Sequence, residues 1–270
     1  MPVTGDDPMV DRSPIVRGDG ERGVMLLHGL TGGPHEVRPV AEGLAEAGYA
    51  VRAPMLPGHA DAASLETTTW RDWYAGIEET FEALHDGGRR RVVVAGFSMG
   101  SLLALRLAAL RPRELEGLVV ASVPLRLPRW QARAVEAMSK LRRRPLLGRL
   151  VGMLPKDGPD IRDAHARRTS PSLRRFPYPA LAQLVQLQDE VDGLLELVRA
   201  PLLLLHGRHD HTAPVELSAV VAQRVSSPSV RRVVLEESFH VVALDVERAR
   251  VCAEILAFVR ATLGPASTPH

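Results

Sequence analysis

The chain has 270 residues, of which 45% are hydrophobic and 24% are charged, so it can bury one sizeable core. A formal net charge of +2 is too small by itself to indicate a nucleic-acid partner, and we expect none. A single cysteine, Cys252, excludes an intramolecular disulfide framework.

Residues 1–20 carry acids and prolines where an export signal needs a basic start followed by an apolar run. No uncharged apolar stretch further along the chain is long enough to cross a bilayer. We therefore expect a cytoplasmic protein without an integral membrane segment.

Six short runs rich in valine and leucine recur along the chain, with helical segments between them. Most are apolar on both faces, which is typical of strands buried in a parallel sheet between helices. We predict an α/β fold with a mostly parallel, doubly wound sheet, in which ligands bind beyond the carboxyl ends of the strands. The predicted strands are 23–29, 49–55, 91–97, 115–122, 201–207 and 230–238.

A G-x-S-x-G pattern, Gly96-Phe97-Ser98-Met99-Gly100, stands between the third predicted strand and a helical run of leucine and alanine. In that setting the motif forms a sharp turn that exposes the serine beside the unpaired amides of the helix start. Chance alone produces the pattern roughly 0.1 times in a chain of this composition, so the strand and helix around it matter most. We predict that Ser98 is a nucleophile, and the alternative is a small-residue turn that allows close helix packing.

The interval between Ser122 and Pro201 has no convincing strand and fits amphipathic helices broken by prolines. We predict a helical cap and return to the core over 123–199, inserted into an α/β core made of 1–122 and 200–270. The two predicted apolar faces are Val135, Met138 and Leu141, then Leu146, Leu147, Leu150, Val151 and Leu154.

The predicted cap is basic: from Arg126 to Arg149 it holds seven arginines and one lysine against one acid, Glu136. One interpretation is a solvated helix face, as charge runs usually are. The other is weak interfacial contact of the cap with anionic lipid. The sequence leaves both open.

A serine nucleophile needs a base, and the base needs an acid that orients it. In folds with this turn the chain order is serine, acid, histidine, and each later member follows a strand. Asp210 and His240 stand directly after the last two predicted strands. We predict that both converge on Ser98.

Other titratable residues near strand ends have plainer interpretations. His28, His59 and His206 are predicted to be structural or pocket-lining, because no acid partner is evident for them. Asp245 is assigned to the last helix as a surface or capping residue.

A tetrahedral intermediate needs two hydrogen-bond donors for its oxyanion. The amide of Met99, directly after the serine, is predicted as one donor. The glycine-rich segment after the first strand supplies the other, with the Leu30 amide predicted as donor and Gly29, Gly32 and Gly33 letting the backbone bend inward.

Together these segments resemble the α/β-hydrolase superfamily, and within it the small bacterial carboxylesterases and monoacylglycerol lipases. The resemblance covers most of the chain outside the cap and rests on "LLHGLTGGPHEVRPVAEGLAEAGYAVRAPMLPGHA", "TTTWRDWYAGIEE", "VAGFSMGS", "GRHDHTAP" and "SFHVVALD". It implies an α/β-hydrolase fold and a serine hydrolase that cleaves carboxylic esters through an acyl-enzyme. It implies no cofactor and no metal. Short to medium acyl esters and monoacylglycerols are the substrates that it suggests.

Three positions depart from the pattern of this family. Ala60 and Ser101 stand where further glycines are common, and Phe239 replaces the usual glycine of the histidine loop. None of the three removes a catalytic group. The bulk of Phe239 suggests a crowded site or a shifted histidine loop.

Alternatives from other classes remain. The segment "HGRHDH" is similar to a metal-hydrolase motif, but His206 and His209 are three residues apart rather than two. A ligand-binding protein on the same fold is the non-enzyme alternative; such proteins commonly lose a triad member, whereas Ser98, Asp210 and His240 are all present here. Lysophospholipase, thioesterase and acyltransferase activities on the same residues stay open, as does the oligomeric state.

Overall fold

A computed structural model of the chain describes residues 11–86, 90–144, 154–155, 158–173 and 175–266. Its strands are β1 (Ile15–Arg17), β2 (Arg22–Leu27), β3 (Ala50–Ala53), β4 (Arg91–Phe97), β5 (Leu115–Ala121), β6 (Leu154–Pro155), β7 (Arg175–Phe176), β8 (Leu202–Gly207) and β9 (Val230–Leu235). Its helices are α1 (Arg38–Glu46), α2 (Ala62–Thr67), α3 (Trp70–His85), α4 (Met99–Leu110), α5 (Arg129–Arg142), α6 (Ala164–Thr169), α7 (Tyr178–Asp192), α8 (Glu216–Arg224) and α9 (Arg248–Leu263). Short 3-10 turns cover Pro34–Val37 and Leu195–Leu197.

A seven-stranded sheet with the order β1-β3-β2-β4-β5-β8-β9 forms the centre of the fold. Neighbouring strands in it are parallel, except that β1 is antiparallel to β3. The sheet contains all six predicted strands, which confirms the mostly parallel α/β fold. The sequence does not predict β1, because it has three residues of which two are exposed, and so it makes no apolar run.

Two layers of helices bury the sheet. Helices α3, α4, α7 and α8 pack on one face, and α1 and α9 pack on the other. In β4, Val92 and Val94 point to the first layer, whereas Val93 and Ala95 point to the second. Both faces are apolar for this reason. None of the described helices is both long enough and apolar enough to cross a membrane.

The register of the sheet brings several loops to one edge. Phe97 at the end of β4 pairs with Ala121, and Ala121 pairs with Leu205 of β8. Gly207 at the end of β8 pairs with Leu235 at the end of β9. Residues that follow β4, β8 and β9 therefore meet at the same carboxyl edge.

The predicted cap is joined to the core through α7. The first predicted apolar face lies on α5, where Val135 and Met138 are half-buried, and α5 packs against α7. Helix α7 also packs against α4 and contributes Leu187 and Val191 to the core between the sheet and its first helical layer. One helix thus connects the cap to the helix that begins beside Ser98.

The second predicted apolar face is only partly described. Leu146, Leu147, Leu150 and Val151 lie outside the described residues. Leu154 does not lie on a helix, contrary to the prediction: it is in β6, which pairs antiparallel with β7. This pair has two residues in each strand, too few to show an alternating pattern in the sequence.

Buried imidazoles lie where the loops after β2 and β3 meet. The rings of His28 and His59 are 5.1 Å apart, and His59 packs edge-on against Trp73. His28 accepts a hydrogen bond from the Leu56 amide at 3.1 Å through Nε2. Burial lowers the pKa of His59 to about 4 and holds the pKa of His28 well below its usual value of 6.5. The predicted structural role of these two histidines agrees with their burial.

Acidification is expected to destabilise the fold through these histidines. Unfolding returns the pKa of His59 to 6.5 from about 4, so below about pH 6.5 the unfolded state binds the extra proton. The free energy of unfolding should therefore fall by roughly 3 kcal/mol from His59 alone as the pH drops from about 7 to about 4. Urea unfolding across this range measures the effect. His59→Gln, which cannot take up the proton, should have a flatter pH dependence, and an unchanged slope in that variant would contradict the assignment.

Candidate active site

Ser98 lies at a strained turn between β4 and α4. Its φ of 52° and ψ of −124° lie outside the usual regions for a residue with a side chain. A Cβ on Gly96 would stand 2.2 Å from the carbonyl oxygen of Gly100, and a Cβ on Gly100 would stand 2.3 Å from that of Leu27. The two glycines of the motif are therefore required by close backbone contacts. They let the turn present the serine side chain at the carboxyl edge of the sheet.

The structure brings together the three predicted residues Ser98, Asp210 and His240. Oγ of Ser98 lies 2.7 Å from Nε2 of His240, and Nδ1 of His240 lies 2.7 Å from Oδ2 of Asp210. The loops after β8 and β9 can approach because residue 207 is glycine: a Cβ there would stand 2.2 Å from the carbonyl oxygen of Phe239. Hydroxyl, imidazole and carboxylate thus form a continuous hydrogen-bonded chain.

The carboxylate of Asp210 is completely buried but richly hydrogen-bonded. Oδ1 accepts from the amides of Thr212 at 2.9 Å and Ala213 at 2.7 Å. Burial raises the pKa of Asp210, but the charge of His240 and hydrogen bonds from His206, His240 and the Ala213 amide outweigh it and leave the pKa well below its usual value. Asp210 is therefore ionised at neutral pH and can fix the orientation and tautomer of His240.

His206 corrects one expectation from the sequence. It was expected to lack an acid partner, yet its Nε2 lies 3.1 Å from Oδ2 of Asp210 and 3.0 Å from the carbonyl oxygen of Ala213. The His206 imidazole is completely buried and lies against the carboxylate of Asp210. The spacing of four residues between His206 and Asp210 at the end of a strand was the only sequence signal for this contact.

The glycine-rich loop after β2 lies against Ser98. A Cβ on Gly29 would stand 3.1 Å from Cβ of Ser98, so the Leu30 amide follows directly after the point of closest approach. The carboxylate of Glu36 accepts the Gly29 amide at 3.3 Å, and Gly32 leaves room for it, since a Cβ there would stand 2.1 Å from Oε2 of Glu36. Glu36 therefore holds this loop in shape, a role that the sequence did not predict.

Asp245 is a second correction. It does not lie on the last helix or at the surface: it precedes α9 and is completely buried. Its side chain accepts hydrogen bonds from backbone amides of the histidine loop and of the predicted cap, among them those of Phe239 and Arg162. Its position five residues after His240 was the only hint in the sequence of a role in this loop.

Phe239 does not crowd the site in the way its bulk suggested. Its ring packs edge-on against His211, with ring centroids 4.5 Å apart. It is not among the described residues that line the cavity beside Ser98.

A mostly apolar cavity of about 280 Å³ opens beside Ser98 and His240. The predicted core and the predicted cap both contribute residues to its wall, and Leu184 of α7 is one of them. Its polar lining comes from Glu36, Asp160, Gln188 and Thr212. Its apolar lining comes from Leu30, Pro124, Leu127, Leu154, Phe176, Leu181, Leu184 and Val241.

The histidines of the metal-like segment have other partners. His206 contacts Asp210, whereas Nδ1 of His211 lies 2.8 Å from Oδ1 of Asp160. Within the described ranges, no group of three or more His, Cys, Asp or Glu side chains is arranged to hold a metal ion.

Comparison with known proteins decides the family. The family model Hydrolase_4, serine aminopeptidase S33, matches residues 19–247. The chain belongs to this family. The match confirms the resemblance to the α/β hydrolases that the motifs predict, and it spans both the core and the predicted cap.

Relatives of this Hydrolase_4 chain include esterases and lipases. A thermostable monoacylglycerol lipase of Bacillus sp. (strain H-257) is 30% identical over 91% of this chain and 93% of that protein. A carboxylesterase of Bacillus subtilis (strain 168) is 25% identical over 93% of this chain and 97% of that protein. A solved structure from work on LipS and LipT, two metagenome-derived lipolytic enzymes, has a TM-score of 0.84 at 28% identity and covers 93% of this chain and 98% of the other. The monoacylglycerol lipase of Paleococcus ferrophilus has the same fold, with a TM-score of 0.76 at 20% identity over 94% of this chain and all of the other.

The strained backbone of Ser98 predicts a difference between two variants that both lack the hydroxyl. Ser98→Gly relieves the positive φ, whereas Ser98→Ala keeps it. Because the relief exceeds the extra chain entropy of glycine, the glycine variant should be more stable than the alanine variant by about 1 kcal/mol. Thermal and urea unfolding of the two proteins test this, and an alanine variant as stable as the glycine variant would show that the turn is not strained.

Proposed function

We propose that this Hydrolase_4 protein hydrolyses carboxylic esters through an acyl-enzyme intermediate. The observation that carries the proposal is the hydrogen-bonded chain from Ser98 through His240 to Asp210, with both contacts at 2.7 Å. The names of the two bacterial relatives, a monoacylglycerol lipase and a carboxylesterase, support the same reaction class.

Each of the three side chains has a distinct role in the first half of the reaction. Nε2 of His240 takes the proton of the Ser98 hydroxyl while the oxygen attacks the ester carbonyl carbon. Asp210 stabilises the imidazolium that forms, because it stays ionised. When the tetrahedral intermediate collapses, the carbon–oxygen bond to the alcohol breaks, and His240 gives its proton to the leaving alcohol.

The second half repeats this chemistry with water. His240 removes a proton from water, the hydroxyl oxygen attacks the acyl carbon, and the bond to Ser98 breaks. The proton returns to Ser98, and the carboxylic acid leaves. The free enzyme is regenerated without any change in oxidation state, so no redox partner is involved.

The amides of Leu30 and Met99 are proposed to stabilise the oxyanion in both halves. Met99 begins α4, where amides are free of intrahelical partners and the helix dipole favours negative charge. Leu30 follows Gly29, which approaches Ser98 closely. Fixed donors of this kind stabilise charge that develops only in the transition state.

The cavity supports short to medium acyl esters and monoacylglycerols as substrates. Most of its lining is apolar, and about 280 Å³ matches an acyl chain of medium length better than a large polar group. We propose the division into a core of 1–122 and 200–270 and a cap of 123–199, since cap residues such as Leu181 complete the cavity wall.

Lipid contact through the basic cap is a separate matter. Arg142 forms an ion pair with Glu66 of α2, with Nε 2.8 Å from Oε1. Because this arginine is paired within the protein, it is not free to bind an anionic lipid headgroup. The ion pair therefore favours the interpretation of the cap as a solvated helix face over that of a lipid-binding face. Interfacial contact with anionic lipid stays the alternative.

Removing the nucleophile should abolish turnover without unfolding the protein. Ser98→Ala is expected to lower kcat by roughly 10⁴- to 10⁶-fold on a short acyl ester and to prevent labelling by a fluorophosphonate probe. Ser122→Ala is a matched control, because Ser122 also has a positive φ and directly follows β5, but no described residue forms a hydrogen bond with its hydroxyl. The control should keep its activity. Near-normal turnover in the purified Ser98→Ala protein would contradict the proposed function.

Filling the cavity should change the preference for acyl length. Leu181→Trp adds bulk to the wall, so hydrolysis of octanoate and longer esters should fall by about tenfold or more relative to acetate. Leu197→Trp, at a leucine that is 47% exposed and does not line the cavity, is the matched control and should leave the ratio unchanged. A panel of p-nitrophenyl esters and monoacylglycerols gives kcat/KM for each chain length. Equal losses on short and long esters would show that the cavity does not hold the acyl chain.

A further inference from the structure

A buried carboxylate links the histidine loop to the cap. Asp245 is completely buried, and four backbone amides donate to it. Oδ2 accepts a hydrogen bond at 2.7 Å from the amide of Phe239, which directly precedes His240. Oδ1 accepts from Arg162 and Asp163 of the cap, both at 2.9 Å, and from Val246 at 2.8 Å. One side chain therefore bonds to both segments.

The cap segment 160–163 bonds back to the proposed catalytic loops. The carbonyl oxygen of Asp160 accepts the amides of His240 and Val241, each at 3.1 Å. The carboxylate of Asp160 accepts a hydrogen bond at 2.9 Å from the amide of His211, which directly follows Asp210 in the sequence. The cap thus contacts the loop of the proposed base and the loop of the proposed acid.

Among the described residues, the side chain of Asp245 accepts hydrogen bonds from backbone amides and not from a basic side chain. Arg162 pairs with Glu237, and Arg248 pairs with Asp163 and donates to the backbone carbonyl of Asp245 at 3.3 Å rather than to its side chain. Burying a carboxylate without hydrogen bonds is costly, and charge-assisted bonds are stronger than neutral ones. Asp245 is therefore satisfied only while the histidine loop and segment 160–163 are both in place.

We propose that Asp245 is a positioning residue that holds His240 against Ser98 by fastening the histidine loop to segment 160–163 of the cap. The inference rests on the proposed function, since it assigns His240 as the base. The backbone amides of His240 and of the residue before it are both hydrogen-bonded. The Phe239 amide donates to Asp245, and the His240 amide donates to the Asp160 carbonyl. A shift of about 1 Å in a reacting group can lower the rate by about a hundredfold, so a loosened loop should affect chemistry more than substrate binding.

Asp245→Asn tests this with little change of shape. Asparagine has one acceptor oxygen in place of two, so it cannot accept from the amides on both sides, and its own amide group must face one of them. We expect kcat per active site to fall by about 10- to 100-fold on a short ester, with KM changed by less than about threefold. The rate of fluorophosphonate labelling should fall by a similar factor, because that reaction also needs His240 as base.

Glu247→Gln is the matched control. Glu247 accepts the amide of Glu237 at 2.9 Å and the hydroxyl of Ser238 at 2.8 Å, so it braces the same loop, but no cap residue donates to it among the described residues. Titration of active sites with the probe corrects kcat for any unfolded fraction. The control should lose stability while it keeps kcat per site within about threefold of the wild type.

The outcomes separate the inference from the proposed function. A wild-type protein without esterase activity or labelling would refute the proposed function. An active wild type whose Asp245→Asn variant keeps the same kcat per site, with only a lower melting temperature, would overturn the positioning role and leave Asp245 as a purely structural residue.

Amide hydrogen exchange in the wild type keeps the inference testable even where Asp245→Asn does not fold. Because Asp245 fastens the two segments together, the amides of Phe239, Arg162 and Asp163 should open in one event and exchange at rates within about tenfold of each other. A Phe239 amide that exchanges several orders of magnitude faster than the two cap amides would overturn the inference.

Discussion

The backbone of Ser98 is the constraint on which the rest of the site depends. A residue with a positive φ between β4 and α4 is strained, and the turn exists only because Gly96 and Gly100 allow backbone atoms to meet. The same turn places the hydroxyl at the carboxyl edge of the sheet and the first amides of α4 beside it. Any base for Ser98 must therefore come from a loop at that edge, and the parallel register brings the loops after β8 and β9, which carry Asp210 and His240, to it.

Two buried carboxylates serve this edge in different ways. Asp210 receives hydrogen bonds from two imidazoles and two amides, and its pKa is well below its usual value although burial opposes this. In the part of the chain that the structure describes, the hydrogen bonds to the Asp245 side chain come from backbone amides, including that of Phe239 directly before His240. The first can stabilise charge on the imidazole, whereas the second can act only through the backbone. A buried carboxylate is thus not evidence of direct chemistry until its partners are known.

The predicted cap packs on and hydrogen-bonds to the elements of the site, and it also lines part of the cavity. Helix α7 packs on α4, which begins directly after Ser98, and segment 160–163 bonds to the loops that carry Asp210 and His240. The Leu173 amide also donates to the carbonyl of Thr31 in the glycine-rich loop at 2.9 Å. Segment 160–163 and α7 therefore line the cavity and also contact the elements that carry the three proposed catalytic residues.

The sequence by itself determined the six central strands, the turn around Ser98 and the candidates Asp210 and His240. These features are local: apolar runs reflect burial on both faces, and two glycines around a serine reflect one turn. The edge strand β1, the position of Leu154 in β6 and the partners of His206 and Asp245 were decided only by the tertiary structure. The orientation of the Phe239 ring was also decided only by the tertiary structure, because the ring packs against His211 of a neighbouring loop. Most of these features rest on contacts between residues far apart in the chain, or on strands too short to show a period, and a sequence pattern carries no signal for either. The contact between His206 and Asp210 spans only four residues, but that spacing by itself does not specify the contact.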